Sequence, residues 1–157
     1  MSAFSYHRLP KSWKYELDAY DRLDLPPRLA LTLPRGESVD LVSERVGAVL
    51  ATVHTRHIEL FPPFRWDGVT KWRDGRFFMR GSAYHDVGCE MVDKGLIPPS
   101  NQKVFDMILV YVIGLEHVAR ANESIWPISA IRRAAYAADR HAIYRAVRIY
   151  QSATESE

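Results

Sequence analysis

In the first part of the chain, apolar residues recur at short and partly alternating intervals. Residues 29–33 (LALTL) and 49–60 (VLATVHTRHIEL) are rich in β-branched or apolar positions, and residues 15–25 (YELDAYDRLDL) alternate in part before Pro26 and Pro27 stop the run. Pro34, Pro62 and Pro63, with Gly36 in the PRGES turn, punctuate these stretches. The pattern predicts a small N-terminal antiparallel β-sheet.

The period then lengthens to that of helices, and three are predicted. The first runs over 82–94, with Ser82 as its N-cap and Gly95 as its stop. The second runs from a cap at Ser100 or Asn101 to about residue 121, and the third from Pro127 or Ser129 to about residue 151. A turn of about 100° per residue gathers Ile131, Ala135, Ala142, Ile143 and Val147 on one face of the third helix. Arg133, Arg140, Arg145 and Arg148 lie opposite, a basic face suited to an interaction surface. The second helix is apolar nearly all round from Val104 to Leu115, the mark of an element buried between others. Sheet first and helices afterwards gives the expected fold class: α+β, with a small N-terminal antiparallel sheet followed by three C-terminal helices.

Composition narrows the picture further. The 157 residues suit a single domain spanning the chain, 1–157, with no repeat or linker dividing it. Hydrophobic residues at 47% and charged residues at 25% are globular values, which excludes disorder and fibrous architectures. A net charge of +2 does not indicate nucleic acid as a partner. The longest apolar run, residues 107–115, is too short for a transmembrane segment, and no secretion signal is expected. Cys89 is the sole cysteine, so an intramolecular disulfide and a cysteine-built zinc site are excluded.

Some polar groups sit where the pattern calls for apolar ones. Asp106 is the one charge inside the apolar run of the second helix, where an unpaired carboxylate would be costly, so it needs a partner such as an arginine or a histidine. In RGSAYHDVGCEM, His85 falls at the edge of the first helix's apolar face in line with Cys89, whereas Asp86 is directed about 100° away. The pair reads either as a polar helix start or as a divided site, the imidazole acting as a base and the carboxylate holding a cation. Contact between His85 and Asp106 across the two helices is expected. Asp139, within the apolar arc of the third helix, also calls for a partner. His54 and His57, three apart on an expected strand, would face opposite sides and serve poorly as joint ligands. The aromatic segment around Trp66, Trp72 and Phe77 reads as a core lid, and no phosphate-binding glycine loop or nucleophile elbow is present.

Taken in order, a W-D-G-x-T turn, R-G-S-x-x-H-D at a helix start, a lone aspartate in the next helix and a basic helix with A-I-Y-R-A-V-R form a pattern. It resembles the phage and prophage family catalogued as domain of unknown function thirteen-fifty-three, over residues 65–150. The resemblance implies a small α+β protein encoded among phage tail or lysis genes, with Asp67, Gly68, Thr70, His85, Asp86 and Asp106 at motif positions. It also implies other virion proteins as partners, and a place in the virion or the bacterial cytoplasm. A more distant likeness is to secreted calcium-dependent phospholipases, in which a histidine activates water, the adjacent aspartate binds calcium and a later aspartate orients the histidine. Those roles would fall to His85, Asp86 and Asp106. The chain departs from that family in having Cys89 where it has a tyrosine, and in lacking a glycine-rich calcium loop.

Two expectations result. In the preferred one, the chain is a virion-associated protein without a cofactor, and His85 and Asp106 form a structural polar site. The alternative is a His-Asp hydrolase, phospholipase-like or directed at the cell envelope. Its base would be His85, its orienting residue Asp106, and Asp86 would be a ligand for a divalent cation such as calcium.

Overall fold

The computed structural model describes residues 4–10, 14–45, 47–68 and 78–122. Among these, the chain order is β1 (Tyr6–Arg8), β2 (Tyr15–Leu17), β3 (Asp21–Asp24), β4 (Val39–Val42), β5 (Val49–Val53), β6 (His57–Leu60), β7 (Arg65–Trp66), α1 (Met79–Asp93) and α2 (Gln102–Asn122). The strands form two antiparallel sheets, one ordered β1-β2-β7 and the other β3-β6-β5-β4.

An α+β chain with strands before helices is thus present, but the expected arrangement of one small sheet and three helices is corrected. There are two sheets, of three and four strands, and two helices among the described residues. The expected third helix, with Arg133, Asp139, Arg140, Arg145 and Arg148, lies outside them, as do Thr70, Trp72 and Phe77. The sheet divides because the run expected over 15–25 is not one strand. Leu17 bonds from its N–H to the Phe64 carbonyl, Leu23 pairs with Ile58, and the chain crosses from one sheet to the other at Asp18–Tyr20.

The four-stranded sheet has one apolar and one polar face. Leu23, Leu41, Ala51, Val53, Ile58 and Leu60 are buried on one side. Arg22, Asp24, Asp40, Thr52 and Glu59 alternate with them and so occupy the other. Residues 29–33, expected to be a strand, show strand-like burial without a strand's pairing. Leu29, Leu31 and Leu33 are buried, but Leu29 ends a short 3-10 turn and the segment has a side-chain bracket as its neighbour. The buried Asn101 amide accepts from the Thr32 N–H at 2.9 Å and donates to the Thr32 carbonyl at 2.6 Å. Its side chain therefore ties the start of α2 to the extended segment.

Helix α1 starts at Met79, three residues before the expected cap. Ser82 lies inside the first turn, donates to the Met79 carbonyl and accepts from the Trp66 indole N–H at 3.2 Å. That fixes Trp66 as a buried core group, as its apolar bulk suggested. The stop is where the sequence puts it. Gly95 has φ +66°, its N–H bonds to Val92 and that of Leu96 to Met91, the paired bonds of a left-handed helix cap.

Candidate functional site

Two glycines on one face of α1 decide how closely the helices meet. Gly81 and Gly88 are seven residues apart, hence two turns, and both face α2. A methyl group at Gly81 would come 3.1 Å from Leu109, and one at Gly88 would overlap the Phe105 ring. His85 lies between these glycines on the same stripe. The close crossing brings its Nε2 to 3.1 Å from Asp106 Oδ1, the contact expected across the two helices.

This pair is largely buried. The Asp106 side chain has no solvent exposure and that of His85 retains 17%. The other ring nitrogen of His85 has longer contacts: Nδ1 lies 3.7 Å from Asp86 Oδ1, an ion-pair distance, and 3.6 Å from Cys89 Sγ, which is also 3.8 Å from Nε2. His85 and Asp86 therefore do not diverge as a pure helical projection suggests, because a side chain at the edge of a face can lean toward its neighbour. Cys89 also receives the Gln102 amide N–H at 3.2 Å, a second tie between α1 and the start of α2. Burial opposes a charge on His85. The bonds to Asp106, then Asp86, then Cys89 outweigh it, so the imidazole keeps its proton well above the usual histidine range.

Asp86 reaches the end of β7. Its Oδ2 accepts from the Asp67 backbone N–H at 3.2 Å, which joins the end of β7 to α1. The Asp67 carboxylate faces Lys14 at 3.3 Å. Gly68, next in the chain, is buried with φ +76°, a conformation that a residue with a Cβ rarely adopts, so this motif position has a backbone reason for its glycine. A hard cation such as calcium takes six to eight oxygens, roughly speaking. Among the described residues, Asp86 has the His85 imidazole and the Asp67 backbone N–H as its contacts.

Two further constellations escaped the sequence reading. Asp21 is buried on the inner face of β3, where Arg80 Nε donates to Oδ2 at 2.8 Å, Arg80 Nη2 to Oδ1 at 3.1 Å and the Tyr84 hydroxyl to Oδ2 at 2.7 Å. Arg80 also donates to the Arg22 carbonyl and lies 3.7 Å from Glu116, so it links sheet, α1 and α2. Burial and the Asp21 charge hold the Tyr84 phenol protonated. A half-alternating DRLD does signal that Asp21 shares the face of Leu23, a clue that the site lies inward.

The second constellation corrects the expectation for His54 and His57. The expected strand over 49–60 is a hairpin: β5 ends at Val53, β6 begins at His57, and Val53 pairs with Ile58. His54 N–H bonds to the His57 carbonyl at 2.8 Å across the Thr55-Arg56 turn, so the two histidines are cross-strand neighbours. Their rings stack at 3.9 Å and 17°. Glu59, two residues along β6, is on the same face, with Oε2 at 3.6 Å from His54 Nε2. Among the described residues, these three side chains form a group of potential metal ligands, and Asp86 does not belong to it.

No protein-family model, curated protein or solved structure matches this chain.

Proposed function

We propose that the chain is a structural component of a phage or prophage particle, with other virion proteins as its partners, and that His85 and Asp106 lock its two helices together. The observation that carries the lock is the closure of the pair. Asp106 has no exposed side-chain surface, His85 Nε2 is bonded to it at 3.1 Å, and Nδ1 faces Asp86 and Cys89 at 3.7 and 3.6 Å with little of the ring exposed. A general base needs a free, unprotonated nitrogen within reach of water or substrate. A protonated imidazole clamped between Asp106, Asp86 and Cys89 is instead suited to holding two helices in one register. The particle part of the reading rests on the order of motifs from Asp67 to Asp106 in the sequence.

Two measurements test it. The purified chain, assayed on phospholipid and simple ester substrates with and without calcium, should show no turnover that His85→Ala abolishes; such turnover would restore the hydrolase. Particles from a lysogen that carries the gene should contain the chain when their proteins are identified by mass spectrometry. Its absence from intact particles would overturn the virion assignment.

A further inference from the structure

We propose that His54, His57 and Glu59 form a binding site for a zinc-class divalent cation on the outer face of the four-stranded sheet. One ligand atom from each residue lies within 4.8 Å of the other two, and the set is two imidazoles and one carboxylate. This donor set suits zinc and its first-row neighbours, whereas calcium and magnesium require oxygen donors. Three protein ligands leave at least one coordination position open, which water or a partner's side chain would take.

Backbone geometry makes the convergence persistent. His54 and His57 are fixed as opposite members of the pair that closes the β5–β6 hairpin, and Glu59 is locked in phase with His57 by the strand's two-residue period. Beneath them the sheet is rigid, since Val53, Ile58 and Leu60 on its other face are fully buried. The carboxylate is also oriented. The Tyr20 hydroxyl donates to Glu59 Oε1 at 2.7 Å, which leaves Oε2 as the oxygen facing His54.

Two features oppose binding, and both are local. The rings stack almost in parallel, so a shared cation requires them to tilt until their lone pairs converge. Ligand bonds of about 2.0–2.1 Å in a tetrahedral site place nitrogens roughly 3.4 Å apart. Closing from the present separation is a side-chain rotation for residues that retain solvent access: His54 is 33% exposed and Glu59 20%. Arg22 is the adverse charge, 3.7 Å from Glu59. Asp24 holds that guanidinium through Nε at 3.0 Å and Nη2 at 2.9 Å, so the two charges offset and Glu59 supplies the anion.

The test is calorimetric titration of the full-length chain with zinc chloride, with cobalt(II) absorption as a second readout. The wild type should take up an equivalent of zinc that His54→Ala/His57→Ala eliminates. Tyr20→Phe should weaken binding by about tenfold or more through the loss of carboxylate orientation. The ligands lie on the polar face of the sheet, and circular dichroism checks that the double variant folds. If it does not fold, the isosteric Glu59→Gln takes its place, and zinc-induced shifts of the Thr55 and Arg56 amide resonances report the location. No zinc uptake by the wild type would overturn the proposal. So would undiminished uptake by the folded double variant or by Glu59→Gln, because zinc would then be held elsewhere.

Discussion

Gly88 of α1 lies directly against the ring of Phe105 in α2, leaving no room for a side chain between the two helices. This contact sets the distance at which His85, three residues earlier, reaches Asp106. Gly88→Ala is therefore expected to do more than fill space. Phe105 is fully buried and cannot swing into solvent, so the added methyl should force the helices apart at a cost of about 1–3 kcal/mol or more. Chemical denaturation measures this, and the variant's loss should shrink when Phe105 is also truncated to Ala. Full additivity of the two changes would show that the ring is not what the methyl meets.

His85 makes stability depend on pH in a defined direction. Its folded-state pKa is raised well above 6.5, so between 6.5 and that raised value the folded chain holds a proton that the unfolded chain has released. The stabilisation is complete below the unfolded value and is lost as pH climbs through the folded one. Melting temperature should therefore decline as pH rises from near neutrality into the alkaline range. Asp106→Asn removes the chief partner that favours the charged ring, and should lower stability while flattening this decline. A decline of unchanged steepness in Asp106→Asn would assign the effect to another group.

The His85–Asp106 contact was legible because each residue interrupted an apolar stripe, and two misplaced polar groups on neighbouring helices need one another. The closeness that allows it was carried by Gly81 and Gly88, a spacing of two helical turns that a search for chemically reactive residues passes over. Leu29, Leu31 and Leu33 are buried with a strand's alternation, yet the expected strand is absent, because the segment is held by one backbone bond from Leu31 to Thr55 and by an asparagine amide from 69 residues away. The hairpin at Thr55-Arg56 was missed because HTRH has none of the glycine, asparagine or proline that usually marks a two-residue turn. Reading through it put the histidines on opposite faces. Division of the strands between two sheets depends on which strand lies beside which, and periodicity along one segment carries no such information.

Arg80 and Asp21 form an ion pair across the sheet–helix boundary, with side-chain exposures of 13% and 7%. Removing one member leaves a charge without its partner in dry surroundings. Arg80→Leu should thus destabilise by about 3–5 kcal/mol, whereas Asp21→Leu/Arg80→Leu should recover a large share of that loss. Urea unfolding of the single and double variants measures the difference. A double variant no more stable than Arg80→Leu alone would indicate that the remaining contacts of Asp21 with Tyr84 carry the stability instead.

Asn101 offers the most specific test of how the helical half is fastened to the strands. Its amide presents an acceptor to the Thr32 N–H and a donor to the Thr32 carbonyl, a pairing that no other side chain of its size reproduces. Asn101→Ala leaves both backbone groups without this bracket and should cost about 1–3 kcal/mol. Asn101→Asp is nearly the same shape, keeps the acceptor and sets a carboxylate oxygen against the Thr32 carbonyl. It should therefore destabilise at least as much as alanine above the carboxylate pKa, and recover in part when acid protonates the new group. Amide hydrogen exchange provides the local readout: Thr32 should lose protection in Asn101→Ala, while Ile58 and Leu60 in the sheet interior keep theirs. Equal loss at all three positions would mean that the bracket supports the whole fold rather than this one junction.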